Sequence, residues 1–175
     1  MLNAKYIMVK LSQADHDALA DAVEGQFGGS SLYDYKKVFC DHMTLAYGPD
    51  QVGAFDESLL GKEVVIHGTE VIYNERCAAL RIAKEDAAAL GCNNENPHVT
   101  LATDGETKPV YSNDLIKNHL VMMASRQVGK TGAFLDYMKG HPDVVSPTYS
   151  MPADVTLHGT VEAFKGGNKN VGKPA

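Results

Sequence analysis

The chain has 175 residues, of which 44% are hydrophobic and 22% are charged, and its formal net charge is −6. This size and composition predict one globular domain with a substantial core. The negative charge argues against sequence-independent binding along nucleic acid, which needs a basic surface, but leaves recognition of a nucleotide or an RNA end open.

Hydrophobic periodicity predicts a strand, a helix and a second strand at the start of the chain. Residues 5–11 alternate apolar and basic side chains, as half-buried strands do. Residues 13–26 carry apolar side chains at helical spacing, and Ser12 is placed to cap this helix. Residues 36–47 alternate again, and Gly48-Pro49-Asp50 is expected to end this strand as a turn.

The rest of the chain predicts further strands and helices. Strands are predicted at residues 63–73, 77–82, 98–103 and 154–164, and helices at 84–90, 113–127 and 132–139. The first two of these strands form a hairpin, and Ser112 or Asn113 is expected to cap the second helix. Residues 141–152 contain three prolines and are expected to be irregular. We expect one domain over residues 1–165 and a flexible tail over 166–175.

Nothing in the sequence predicts export or membrane insertion. No apolar run approaches the roughly 18 residues of a membrane-spanning helix, and residues 1–10 lack the layout of a signal peptide. Cys40, Cys77 and Cys92 are scattered, and they form neither a disulfide framework nor a CxxC zinc pattern. We expect a cytoplasmic protein with reduced thiols and no membrane partner.

One tetrapeptide pattern occurs twice, as His42-Met-Thr44-Leu and His98-Val-Thr100-Leu, and each copy continues into alanine. Side chains two apart in a strand point to the same face, so each copy presents an imidazole beside a hydroxyl. The residues between and after them would point into the core. Two such faces turned toward each other across a cleft provide an acid–base pair and hydroxyl donors for an oxyanion.

Two further His-x-Thr copies have glycine in the middle, in the similar segments Glu63–Thr69 and Asp154–Thr160. A glycine within a strand indicates close packing or a bulge, so we expect His67 and His158 to support the sheet. The repetition of a motif strand followed by such a strand suggests two pseudo-equivalent lobes. The other histidines, which are expected to be surface residues without partners, are His16, His119 and His141.

Two other kinds of site compete with this interpretation: a metal site formed by the histidines and a phosphate-binding loop elsewhere in the chain. Four histidines could converge on a metal ion, but threonine is a poor ligand for soft ions, and no HxxxH, HExxH or carboxylate set accompanies the histidines. We therefore predict neither a metal nor a cofactor. Residues 124–131 fit a relaxed Walker pattern, but they begin with alanine and too few residues follow for the parallel strands of that fold. A helix ending near Gly129 is the preferred interpretation.

The segments Asp41-His-Met-Thr-Leu-Ala-Tyr-Gly48 and Pro97-His-Val-Thr-Leu-Ala-Thr103 resemble the two motifs of the 2H (two-histidine) phosphoesterase superfamily. They look most like the branch that contains 2′,3′-cyclic-nucleotide 3′-phosphodiesterases and the phosphodiesterase domain of fungal tRNA ligases. Residues 108–113 and 157–164 also resemble stretches that follow the second motif there. The resemblance spans residues 5–165 and implies a bilobal α/β (α+β) fold, with two antiparallel sheets flanking a central cleft and helices outside. The segment 113–152 is longer than in that branch.

The resemblance implies metal-independent hydrolysis of a 2′,3′-cyclic phosphate on a nucleotide or an RNA end. His98 would be the base, His42 the acid, Thr44 and Thr100 the phosphate ligands, and a 2′-phosphate the product. One alternative is a phosphodiesterase that degrades 2′–5′ or cyclic oligonucleotides; another is a non-catalytic module that binds nucleotide phosphates. The presence of both histidines favours catalysis, because binding alone needs donors but not a paired acid and base. We expect a monomer.

Overall fold

The computed structural model describes residues 2–27, 35–127 and 147–166. The helices are α1 (Gln13–Phe27), α2 (Gly48–Ala54), α3 (Lys84–Ala89) and α4 (Tyr111–Gln127), with a short 3₁₀ helix at Glu57–Leu59. The strands are β1 (Tyr6–Leu11), β2 (Lys37–Val38), β3 (His42–Tyr47), β4 (Glu63–Tyr73), β5 (Cys77–Ile82), β6 (His98–Thr103) and β7 (Tyr149–Phe164). None of these helices is long and apolar enough to span a membrane.

The described strands form one antiparallel network that closes on itself. Their order is β2-β6-β3-β1-β7-β4-β5, and β5 also pairs with β6, so six strands make a closed barrel, with β2 as a short extra strand. The predicted α+β class is confirmed. The predicted layout of two separate sheets is not, because β1 pairs with both β3 and β7, and β6 pairs with both β3 and β5, so the pairing runs continuously around the barrel.

The seam between the two motif strands is the weakest junction of the barrel. β3 and β6 share one ladder pair, Met43 with Val99, whereas β4 and β7 share ten. Met43 and Val99 are fully buried, and the following Leu45 and Leu101 are buried with them. The alternate positions of both motif strands therefore face the core, as predicted, which leaves the histidines and threonines on the other face.

The segment predicted as one strand at 36–47 is divided in the structure. Cys40 has a positive φ of 51°, which breaks the extended conformation between β2 and β3. The following turn prediction is also wrong, since Gly48-Pro49-Asp50 begins α2. Proline is compatible with the first turn of a helix, because the N–H that it lacks has no partner there anyway.

The last strand begins five residues earlier than predicted. Residues 149–152, which were expected to be irregular, pair with the end of β4, and Pro152 lies opposite Glu70 beside a register shift. A bulge of this kind tolerates a proline that cannot donate a ladder hydrogen bond. Several predictions lie outside the described residues. They concern residues 28–31 at the end of the first helix, the helix at 132–139, His141, the end of the Walker-like segment and most of the tail.

Gly159 and Gly68 contact neighbouring strands closely, which is consistent with the packing interpretation. A Cβ on Gly159 would lie 2.6 Å from the Lys10 carbonyl oxygen, whereas the atoms nearest to one on Gly68 belong to the Leu80 side chain. We expect Gly159→Ala to lower the free energy of unfolding by about 1–3 kcal/mol, and Gly68→Ala by less, because a side chain moves more easily than backbone.

Urea denaturation measures both effects, and Gly25→Ala is the control. Gly25 lies in α1 with open space around its Cα, so alanine there should stabilise the protein by about 1 kcal/mol. An unchanged unfolding midpoint for Gly159→Ala would show that β1 and β7 separate more easily than this packing indicates.

Candidate active site

A cavity of about 960 Å³ lies over the non-core face of β3 and β6. Its lining includes His42, Thr44, His98 and Thr100 together. All four side chains are half-buried, so they are accessible to a ligand and partly shielded from solvent. The sequence-predicted residues therefore share one concave surface.

Strand register arranges these four residues as a square. Because Met43 pairs with Val99 in an antiparallel ladder, the positions on either side place His42 across from Thr100 and Thr44 across from His98. Each histidine thus has its own threonine two residues along the strand and the other motif's threonine across from it. This arrangement has approximate two-fold symmetry, although the two histidines differ in their hydrogen bonds.

The His98 ring is held by a backbone carbonyl. Its Nδ1 lies 2.8 Å from the carbonyl oxygen of Asn96, which only accepts, so Nδ1 carries the proton. The other nitrogen, Nε2, then has a free lone pair in the neutral ring. Burial lowers the pKa of His98, and the nearby His42 lowers it further, against the opposing effect of the Asn96 hydrogen bond. His98 is thus suited to accept a proton.

The His42 ring is instead held by a carboxylate. Its Nδ1 lies 3.1 Å from Asp41 Oδ2, and the other oxygen of Asp41 accepts from Lys10 Nζ at 2.6 Å. Burial alone would raise the pKa of Asp41, but the hydrogen bonds from His42 and Lys10 outweigh it and lower that pKa overall. An ionised carboxylate beside the ring favours its protonated form. Sequence reasoning did not identify Lys10 or Asp41.

The two threonines also differ. The Thr100 hydroxyl lies 2.8 Å from the hydroxyl of Ser112 and 3.3 Å from the carbonyl oxygen of Pro109. The Thr44 hydroxyl has no hydrogen-bond partner among the described residues. Ser112 was predicted as a helix cap, but α4 begins at Tyr111, and Ser112 is buried against Thr100 and Cys77.

Aromatic rings line the cavity beside His42. Tyr6 stacks on His42, Tyr47 and Phe164, with ring centroids 5.4, 6.1 and 4.7 Å apart respectively. The Tyr47 residue is 67% exposed. An exposed aromatic face at the mouth of a polar cavity can stack on a planar ligand. No local sequence pattern indicates that these three rings come together, because they lie on three different strands.

Residues 33–143, more than half of the chain, match the family model of the fungal tRNA ligase phosphodiesterase domain. The chain belongs to this family. It is a 2H phosphoesterase-type domain, so the predicted resemblance is confirmed, and cyclic phosphodiesterase activity is the general function that the family indicates. Both His-x-Thr motifs of the cavity lie within the matched residues. No curated protein matches the chain.

The two glycine-containing copies lie outside the cavity of this phosphodiesterase domain. His67 and His158 are exposed, and the Nδ1 of each donates to a helix carboxylate, that of Asp86 at 2.9 Å and that of Asp15 at 3.0 Å. The same carboxylate oxygen accepts the backbone N–H of its histidine. These contacts attach α3 and α1 to the sheet, and the cavity lining includes neither histidine.

The prediction that His16 and His119 are surface residues without partners is wrong. His16 is half-buried, and its Nδ1 donates to the Cys40 carbonyl at 2.9 Å. His119 is buried in α4, with its Nδ1 2.9 Å from the Thr148 hydroxyl. Helical spacing alone did not reveal either contact, because both partners are distant in sequence.

The metal prediction stays a prediction. Within residues 2–27, 35–127 and 147–166, no group of three or more histidine, cysteine or acidic side chains is arranged to hold a metal ion.

Proposed function

We propose that this chain is a metal-independent phosphodiesterase that hydrolyses 2′,3′-cyclic phosphates of nucleotides or RNA ends to 2′-phosphates. The observation that carries the proposal is the pair of histidines on one cavity face, one held by a carbonyl and the other by a carboxylate. His98 is the base and His42 the acid, because the first is suited to a neutral ring and the second to a protonated one.

The reaction needs one proton removed and one supplied. A water oxygen attacks phosphorus, and His98 Nε2 takes a proton from that water as the new P–O bond forms. The bond from phosphorus to the 3′ oxygen breaks, and the leaving oxygen takes a proton from His42. Both histidines therefore exchange protonation states in one turnover, and solvent restores them.

The threonines support the phosphorane-like transition state. Each hydroxyl lies on the same face as both imidazoles and would donate to a non-bridging oxygen as negative charge develops there. The Ser112 hydroxyl can donate to Thr100 Oγ1, and the Thr100 proton, which donates to the Pro109 carbonyl at 3.3 Å, would turn to the phosphate when substrate binds. Such donors act without any metal ion.

The aromatic side chains of Tyr6, Tyr47 and Phe164 beside His42 favour a nucleotide substrate over a phosphodiester that has no base. A nucleobase attached to a phosphate at the His-Thr square would lie within reach of neighbouring aromatic faces such as that of Tyr47. Base–aromatic stacking contributes about 1–3 kcal/mol per base and tolerates different bases. This supports a nucleotide or RNA-end substrate without specifying the base.

Phosphorus NMR of 2′,3′-cyclic mononucleotides tests the proposal directly. We expect hydrolysis to a 2′-phosphate that continues after exhaustive EDTA treatment, because the proposed acid, base and donors are all side chains. The His42→Ala/His98→Ala double variant provides the background rate. Loss of activity on chelation with recovery on adding zinc or manganese would contradict the mechanism. Binding without turnover would instead indicate a nucleotide-binding module.

A further inference from the structure

We propose that Lys10 and Asp41 are positioning residues that make His42 the acid and so give the nearly symmetric site its direction. This inference rests on the proposed function, because it concerns the same two histidines. Three features carry it: a fixed break in the strand before His42, a hydrogen-bonded chain through the pair, and the absence of such a carboxylate contact at His98 among its described hydrogen bonds.

The first feature is the break between β2 and β3 at Cys40 and Asp41, whose backbone is hydrogen-bonded to three elements. The Cys40 N–H donates to the Thr100 carbonyl at 3.0 Å, and the Cys40 carbonyl accepts from His16. The Asp41 carbonyl accepts the Leu11 N–H at 3.0 Å. A positive φ at a residue other than glycine is unfavourable, so these bonds hold a conformation that the chain would otherwise avoid.

The second feature is the side-chain order Lys10, Asp41, His42. Lys10 pairs with His42 in the β1–β3 ladder, so the ammonium reaches the carboxylate from the neighbouring strand. The Lys10–Asp41 and Asp41–His42 distances are 2.6 and 3.1 Å, and all three side chains are largely buried. Each oxygen of Asp41 thus has one partner, and the carboxylate cannot rotate without losing a charged hydrogen bond.

The chemical consequence follows from the acceptor type. An ionised carboxylate only accepts, so Nδ1 of His42 must carry a proton, and Nε2 is the atom left to exchange a proton with substrate. The negative charge also stabilises the protonated ring, as an acid catalyst requires. A carbonyl, which holds His98, fixes the ring in the same way but supplies no full charge.

Other charged and titratable groups face His42 as well. Tyr6 stacks on the ring from β1, His98 interacts with it from β6, and Lys10 places a positive charge beyond Asp41. The Lys10 charge opposes protonation of His42 while its hydrogen bond anchors the carboxylate. Lys10→Met therefore tests the anchoring of the carboxylate, whereas Asp41→Asn tests its charge, and a merely structural role would not connect that charge to the His42 titration.

The chain offers a matched control for Asp41→Asn. Asp15 contacts His158 Nδ1 at 3.0 Å, which reproduces the carboxylate–histidine contact outside the cavity. Asp15→Asn therefore tests whether removal of any such carboxylate harms the protein. We expect kcat for a cyclic mononucleotide within about two-fold of wild type in this control.

The experiment compares Asp41→Asn, Lys10→Met and Asp15→Asn by pH–rate profiles and by NMR titration of the His42 ring. Asp41→Asn should lower kcat by about 10- to 100-fold, less than deletion of the acid itself. Its high-pH limb and its His42 titration should move to lower pH, because the protonated ring loses a stabilising charge. Lys10→Met should lower kcat by a smaller factor than Asp41→Asn, because the carboxylate keeps its charge but loses its anchor. Asp15→Asn should change neither kcat nor the His42 titration.

The results separate this inference from the proposed function. If wild type hydrolyses the cyclic phosphate and Asp41→Asn has an unchanged kcat and pH–rate profile, the positioning role is rejected. The proposed phosphodiesterase activity is then unaffected. An unchanged kcat in Lys10→Met would remove Lys10 from the pair. If wild type hydrolysed no cyclic phosphate, the proposed function would fail, and the NMR titrations alone would then decide whether the pair controls His42.

Discussion

His98→Ala and His42→Ala should each lower kcat/KM for a 2′,3′-cyclic mononucleotide by roughly 10²–10⁴, because each removes one partner of the proton transfer. The double variant should be little slower than the poorer single variant, since both groups act on one transition state. Initial rates followed by phosphorus NMR measure all three. His67→Ala and His158→Ala are the controls, because they remove imidazoles that lie outside the cavity.

The two single variants should differ in their pH dependence and in their rescue. Wild-type kcat/KM should follow a bell, and its low-pH limb should lie below the range of an ordinary histidine, because burial lowers the pKa of the base His98. His98→Ala should flatten that limb and respond to added imidazole. His42→Ala should flatten the high-pH limb and lose less activity on a substrate whose leaving group needs no proton.

The opposite rescue pattern would exchange the two roles and leave the site intact. Near-normal turnover by both single variants would reject the site itself. Equal losses in His67→Ala and His158→Ala, with folding preserved, would place the chemistry outside the cavity, at the two glycine-containing copies.

Local sequence patterns were sufficient for three of the described strands, including the one that carries the second motif. β4, β5 and β6 have the predicted bounds, because strict or near-continuous apolar patterning and turn residues delimit each of them. The same alternation assigned Met43 and Val99 to the core and His42 and Thr100 to the opposite face. These predictions depend only on neighbours along the chain, which is why they could be made without the structure.

Local patterns could not predict that the sheet closes into a barrel. The β1–β7 and β5–β6 ladders join segments that are distant in sequence or separated by a helix, and periodicity within a strand does not specify its partner. The break at Cys40 had no local signal either, because a positive φ is expected at glycine rather than at cysteine.

The side chains around the histidines were missed for a related reason. Lys10 appeared only as the polar residue of an alternating strand, and Ser112 fitted the pattern of a helix cap. Their contacts with Asp41 and Thr100 arise when β1 and α4 pack beside the motif strands. The four central residues could thus be identified from local sequence patterns. The different hydrogen bonds of the two histidines and of the two threonines depend on the fold.

Thr100→Val and Thr44→Val should each reduce kcat by an amount equivalent to about 2–4 kcal/mol of transition-state stabilisation, by analogy with the loss of one oxyanion donor. Valine preserves the shape of threonine, so the change removes a hydroxyl from the phosphate rather than a packing contact. KM should change less than kcat, because the donor acts mainly on charge that develops in the transition state.

Thr69→Val is the matched control, since Thr69 belongs to a glycine-containing copy outside the cavity lining. Ser112→Ala adds a graded test, because it removes the partner that can orient the Thr100 hydroxyl. Its kcat should fall less than in Thr100→Val, and the double variant should be no slower than Thr100→Val alone, as expected for two groups on one path. An additive loss would show that Ser112 acts independently of Thr100. Full activity in both threonine variants would remove the hydroxyls from the mechanism and leave charge stabilisation to His42 alone.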